Sequence, residues 1–223
     1  MTKIIACFCT VLLLAACGSS QNAAPSVAVV DISPAFFNYT SSAVLSAAKA
    51  GLPFWVGTIG NEWADFGFQS QDEVAFAQLG GPYPVFVLKN AGKSNQSIAA
   101  TDQWEFPVTA NDQYRCMLTM DKINGEWVTA SIGSAGYAKA LQTTENTHPG
   151  LSIKNKAILR VFGFSCGYYD ILAINLSDPQ PSFLMVGSAT SFVNKLPQYA
   201  AWVNTDPVPV LTLDDLYTIF SKM

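Results

Sequence analysis

Apolar and polar positions alternate along this chain in two distinct rhythms. A helical spacing runs from Thr40 to Ala50, where Val44, Leu45 and Ala48 share one face, and Gly51 with Pro53 supplies the expected stop. Phe54 to Ile59 reads as a short apolar strand. Ser70-Gln71-Asp72-Glu73 has the form of a capping box, and predicts a helix running from there to Gly80-Gly81-Pro82 with Val74, Phe76 and Ala77 on its buried side. Tyr83 to Lys89 is rich in β-branched and aromatic residues and predicts a strand. Asn90 to Asp102 reads as a polar loop. Gln103 to Val108 predicts a further strand, weakened by Pro107.

The sharpest local signal is Asn124-Gly125, a dipeptide suited to a two-residue type I′ hairpin. It sets Ile123 opposite Glu126 and Met120 opposite Thr129. Strict alternation then puts Tyr114, Cys116, Leu118, Met120 and Trp127 on one face. The other face receives Met117, Val128, Ala130 and Ile132. Both faces are partly apolar, so the hairpin belongs to a sheet covered on both sides. Ser134 to Thr143 predicts a helix packed through Tyr137, Ala138 and Leu141. Ala157 to Leu176 carries only Arg160 and Asp170 as charges. Its glycines, Gly163 and Gly167, and its β-branched and aromatic residues predict two buried strands rather than a membrane helix. Ser182 to Val186 is a last strand, and Thr212-Leu213-Asp214-Asp215 caps a final helix carrying Leu216, Ile219 and Phe220. Strands and helices mix without strict alternation. The expected fold is α+β: one domain over residues 29–223, with a mainly antiparallel mixed sheet and about four helices packed on it. The segment Val27 to Ile32 is a further strand candidate.

Composition narrows the functional classes. Half of the 223 residues are hydrophobic and 13% are charged, which excludes a disordered chain. The formal net charge is -4 and the isoelectric point about 4.8, so the basic footprint of a nucleic-acid or anionic-membrane surface is missing. A single histidine, His148, restricts zinc sites and His-based triads. Asn111-Asp112 is followed by no series of calcium ligands.

The N-terminus has the layout of an export signal. Met1-Thr2-Lys3 is followed by an uncharged run, Ile4 to Ala16, too short to span about 30 Å of hydrocarbon as a helix. That run ends Leu14-Ala15-Ala16-Cys17, then Gly18-Ser19-Ser20. This resembles the lipobox of bacterial lipoproteins, and the resemblance covers only the leader. It implies a signal peptide over 1–16, acylation of Cys17 including palmitate, a tether over 17–28, and a lipid bilayer as partner. The absence of aspartate at position 18 favours, by the same resemblance, the outer membrane with the domain in the periplasm. Attachment to a Gram-positive plasma membrane is the alternative. Outside the leader and Cys17, two cysteines remain, Cys116 and Cys166. An even pair in an oxidising compartment predicts one disulfide, with two buried thiols as the alternative.

Candidate chemistry in the rest of the chain is sparse. Gly163-Phe164-Ser165-Cys166-Gly167 matches the G-x-S-x-G nucleophile elbow, but His148 lies upstream and a strand rather than a helix is expected after Gly167, so a turn between two strands is the preferred reading. His148, in Asn146-Thr147-His148-Pro149-Gly150, reads as a residue of a solvated turn without a catalytic role. Glu62, Asp65, Asp72 and Glu73 lie near Trp63, Phe66 and Phe68 and offer a carboxylate pair for glycoside chemistry; nothing in the spacing selects two acids, and a solvated loop and a helix cap are the preferred reading. Trp55, Trp104 and Trp127 fall in strand candidates and are expected in the core. Trp63 and Trp202 fall in loop-like sequence, where aromatic residues favour partner or glycan contacts. These readings converge on an envelope lipoprotein whose domain binds a protein or glycan partner without catalysis or cofactor. A cell-wall or glycan hydrolase using the 62–73 acids and a structural subunit of an envelope assembly are the alternatives.

Overall fold

The structure is a computed structural model and describes residues 34–91, 96–148, 155–163, 167–176, 180–197, 199 and 209–221, with side chains from residue 42 onward. The leader, Cys17, the tether, the Val27 to Ile32 candidate, Cys166 and Trp202 lie outside the described residues.

An eight-stranded sheet organises the chain. Its strands are β1 (Gln78–Leu79), β2 (Tyr83–Lys89), β3 (Ser97–Ala110), β4 (Gln113–Ile123), β5 (Glu126–Gly133), β6 (Ala157–Phe162), β7 (Tyr168–Ile174) and β8 (Ser182–Met185). Their spatial order is β5-β4-β3-β2-β6-β7-β8, with β1 beside β2 on the same edge of β3. Every pairing is antiparallel except β2 with β6. The helices are α1 (Pro34–Thr58), α2 (Gln71–Val74), α3 (Ala135–Asn146), α4 (Ser188–Val193) and α5 (Leu213–Phe220). This is the α+β architecture with a mainly antiparallel mixed sheet that the sequence pattern predicts. Among the described residues no helix is long and apolar enough to cross a membrane.

Alternation along the strands sends side chains to two faces, and each face has its own cover. On one face, α3 packs Ala138 and Leu141 onto Val85, Met117, Ile158, Leu172 and Leu184. The opposite face is divided. Over β3 and β4, α1 meets Trp104, Phe106, Val108, Cys116, Leu118 and Met120. Over β6 to β8, α4 and α5 meet Leu159, Val161, Ile171 and Phe183, and Tyr169, Phe192 and Phe220 form an aromatic stack with centroids 4.7 and 5.6 Å apart.

Hairpin turn chemistry is obeyed closely. Asn124 and Gly125 take φ of 53° and 89°, and the register places Ile123 opposite Glu126 and Met120 opposite Thr129. Strict alternation fails farther from the turn, because each side of β4 meets a bulge. Ala130 is an extra residue between Thr129 and Ser131, so Ile132 lies opposite Leu118 and joins the α1 side. Arg115 is an extra residue between Tyr114 and Cys116, so Tyr114 turns to the α3 side. A one-residue slip reverses every side chain beyond it.

Three local expectations are corrected. Helix α1 continues through Gly51 and Pro53 to Thr58, taking in the stretch that reads as a strand from Phe54. Leu52, Trp55 and Val56 pack in the same cluster as Val44 and Ala48, and that burial outweighs the local stop signals. Gly51 makes the close approach possible: a Cβ there would lie 2.4 Å from Thr129 Cγ2 of β5. The helix opened by Ser70 lasts only from Gln71 to Val74 before the chain turns into β1. Strand β3 begins at Ser97, six residues before Gln103, inside the stretch that reads as loop. Pro107 sits within it at no cost to the β3–β4 ladder. Its carbonyl accepts from Gly80 N–H at 2.7 Å, so its nitrogen also faces the β1–β2 junction, where Gly80-Gly81-Pro82 interrupts the pairing. At the far end, Thr212 and Asp215 form the reciprocal capping box of α5.

Candidate functional site

The two charges in the apolar run 157–176 meet across the β6–β7 hairpin. Arg160 lies directly opposite Asp170, on the α3 face. Arg160 Nε donates to Asp170 Oδ1 at 2.8 Å and Nη2 to Asp170 Oδ2 at 3.2 Å, a bidentate pair. Strand β3 brings a second carboxylate. Glu105 is 5% exposed, accepts from Arg160 Nη2 at 3.4 Å and from Thr119 Oγ1 at 3.2 Å. A local distortion of β3 completes the cluster. Between the pairs Pro84–Trp104 and Phe86–Ala100 the strand carries two extra residues, and Thr101 Oγ1 donates to the Val85 carbonyl there at 2.6 Å. Gln103 thereby accepts from Arg160 Nη1 at 2.6 Å, while its own amide donates to Asp121 Oδ1 at 3.0 Å.

Two buried carboxylates thus share one guanidinium. Burial pushes Glu105 up to about 7, with the Asp170 charge acting in the same direction and Arg160 and Thr119 opposing it. Asp170 is raised as well by burial, against the pull of Arg160. Tyr137 of α3 turns its hydroxyl into the same region, where that oxygen is buried and has no hydrogen-bond partner among the described residues. Burial first, then the Asp170 and Glu105 charges, hold Tyr137 well above its ordinary value.

The cluster ends in an aromatic surface. Arg160 Cζ stacks 4.3 Å from the centre of the Tyr168 ring, and Tyr168 lies opposite Phe162, their centroids 6.3 Å apart. Phe162 is 59% exposed and Tyr168 49%. The charged atoms therefore point inward, Arg160 itself is buried beneath the Tyr168 ring, and the aromatic pair is what solvent meets.

The acids singled out from sequence do not converge in this way. Glu62 and Asp65 are exposed in a 3-10 turn and the turn after it, and Asp72 is exposed in α2. Glu73 is buried and fully engaged. It pairs with Arg115 Nη2 at 2.5 Å and accepts from Gln69 N–H at 2.6 Å and Asn111 Nδ2 at 3.0 Å. Burial alone would raise Glu73, but the Gln69 amide and Arg115, with Asn111, hold it below the usual carboxylate range. Instead of closing the Ser70 capping box, this carboxylate ties α2 to β4. Trp63, expected in a loop, is half-buried against the α1 cluster, and Trp104 is in the core as expected.

His148 is buried, not in a solvated turn. Helix α3 runs on to Asn146, and His148 Nδ1 lies 3.0 Å from both the Thr144 carbonyl and Thr147 Oγ1 at its C-terminal end. Gly163 and Gly167 close a hairpin through Gly163 N–H to Gly167 O at 2.9 Å, and the chain enters β7 rather than a helix, as the turn reading predicts. Cys116 is buried on the α1 side, where burial pushes its thiol up to about 12, and Cys166, its expected disulfide partner, lies outside the described residues. Among the described residues no three His, Cys, Asp or Glu side chains gather as a metal site.

Sequence reasoning passed over the Arg160 cluster, although one signal was present. Arg160 and Asp170 are equidistant from the centre of the Gly163–Gly167 turn, the spacing of cross-strand partners in a hairpin. Comparison with protein-family models, with curated proteins and with solved structures gives no match for this chain.

Proposed function

We propose that this chain is a lipid-anchored envelope protein whose domain, held at the membrane through acylated Cys17, binds a protein or glycan partner without chemistry on it. The observation that carries the binding reading is the exposed Phe162–Tyr168 pair backed by Arg160. Aromatic rings and arginine are the side chains most enriched where proteins meet partners. Their rigidity here comes from below: the Arg160 guanidinium is fixed by Asp170, Gln103 and Glu105, so the Tyr168 ring rests on a positioned cation. The hydrolase reading loses its best acid, since Glu73 is committed to Arg115 and the α2 turn.

Two measurements test the proposal separately. For attachment, Cys17→Ser is expected to abolish palmitate labelling and release the chain from membranes; unchanged labelling refutes it. For binding, the wild-type chain and Phe162→Ala/Tyr168→Ala are compared for retention on purified peptidoglycan sacculi and for cross-linking to periplasmic proteins. Loss of one of these associations in the variant, at unchanged thermal midpoint, is the expected result. Equal association by both proteins refutes the assignment of this surface.

A further inference from the structure

A cavity of about 460 Å³ lies on the other side of α3, between that helix, β8 and the start of α4. That volume is in the range of small-molecule sites, about 300–1,000 Å³. Its wall looks polar in sequence, with Thr143, Thr144 and Thr147 along one side of α3. The hydrogen bonds reverse that impression. Thr143 Oγ1 donates to Lys139 O at 2.9 Å, Thr144 Oγ1 to Ala140 O at 3.0 Å, and Thr147 Oγ1 to Thr144 O at 2.9 Å. A threonine whose hydroxyl bonds back to its own helix has spent its donor there, and the γ-methyl is what it has left to offer a ligand. With Ala140 and Leu184, these methyls make an apolar lining.

One charged side chain stands at this lining. Lys139 is exposed, and, like Lys49, Lys89 and Lys195, it pairs with no carboxylate among the described residues. In a chain of net charge -4, a lysine left unpaired beside an apolar cavity complements an anion supplied from outside. Gly136, exposed in the first turn of α3, also lines this cavity, and a Cβ built on it would meet nothing within 4 Å.

We propose that this cavity binds a free aliphatic carboxylate, with the hydrocarbon chain against the threonine methyls and Leu184 and the carboxylate at Lys139 Nζ. The site is separate from the Phe162–Tyr168 surface, and its occupancy does not depend on that reading.

Equilibrium dialysis of the full chain against hexanoate, octanoate and decanoate, each below its micelle concentration, tests the assignment. Affinity should rise up to about fourfold for each methylene added, the value for full burial of a CH₂. Lys139→Gln should weaken decanoate about three- to tenfold and leave 1-decanol unchanged. Gly136→Leu, which adds bulk at a lining position of α3, should remove binding of both. The same change should raise the thermal midpoint, since glycine is a poor helix former, so a loss of binding is not a loss of fold. Decanoate unbound at about 1 mM, where the standard free energy would be only about -4 kcal/mol, overturns the proposal. So does unchanged binding in Gly136→Leu, or equal weakening of acid and alcohol in Lys139→Gln. Retention on phosphatidylglycerol vesicles without decanoate binding would assign the lysine to a lipid headgroup and overturn the free-acid reading.

Discussion

Replacing Glu105 by glutamine removes one of the two carboxylates that share Arg160 while keeping the side chain's shape. Thr119 and Arg160 retain an oxygen or nitrogen partner at that position. The folded protein raises Glu105 from the 4.5 of a free side chain to about 7. A carboxyl with a raised value holds its proton more tightly when folded than when unfolded. Between these two values the folded state therefore binds more protons, and stability falls as pH rises. At about 1.4 kcal/mol for each tenfold change in proton affinity, ionising Glu105 costs the wild type about 3 kcal/mol once the pH is above 7. That is a large fraction of the roughly 5–15 kcal/mol that holds a domain folded. Glu105→Gln lacks this proton and escapes the cost. Urea unfolding of both proteins at pH 4, 5, 6, 7 and 8 measures the difference. The stability of Glu105→Gln relative to wild type should be constant below about pH 4.5, rise through pH 5–7, and level off above it by about 3 kcal/mol. A difference that stays flat from pH 4 to 8 would show that Glu105 titrates as an ordinary carboxylate, and the account of the cluster would fail.

Gly51→Ala should destabilise the domain by about 1–3 kcal/mol, the usual range for an overpacked contact, because its Cβ meets Thr129 at 2.4 Å; Thr129→Ala should recover most of the loss in the double variant, read by denaturant midpoint. Gly67→Ala has no such rescue, since φ is 80° and the Cβ would lie 2.5 Å from the Arg115 backbone carbonyl; a midpoint within experimental error of wild type would contradict the packing of the α2 approach against β4. The Cys116 sulfur, buried and with its thiol pushed up to about 12, should resist iodoacetamide at pH 8 in the native protein; after unfolding, labelling without reductant would show a free thiol and labelling only with reductant the disulfide to Cys166, as read by intact mass.

What the sequence disclosed depended on distance along the chain. The Asn124-Gly125 turn, the Thr212–Asp215 capping box and the paired strands of 157–176 are local, and each appears where its residues put it. Pairing registers near the hairpin turn were legible for the same reason. Beyond it, the bulges at Ala130 and Arg115 carry no residue signature, and strict alternation sent Ile132 and Tyr114 to the wrong faces. Helix α1 ran through its stop signals because Trp55 and Val56 had a sheet to cover, a fact of tertiary packing. The charge cluster combines Arg160 and Asp170, which a hairpin rule can pair, with Glu105 and Gln103, which reach it only through the β2–β6 neighbourhood and a distortion in β3. No spacing in the sequence encodes that meeting. Glu73 shows the converse. Its place in a capping-box pattern was visible, but Arg115 took its carboxylate.

The parallel pairing of β2 with β6 divides the sheet into two antiparallel stretches, 78–133 and 157–185, each contiguous in the chain. Within either stretch, the consecutive strands β2 to β5 and β6 to β8 find their neighbours across short connections, at little loop-closure entropy. Joining Val85 to Ile158 closes a far longer loop and must wait for contacts that reward it. On one face the two halves have separate covers, α1 on the first and α4 with α5 on the second. On the other, α3 spans both, and Arg160 reaches across the same join to Glu105 and Gln103. Folding therefore has a natural order in which two meanders form first and a helix and a guanidinium fasten them. Strain on the assembled domain would be felt first at that fastening.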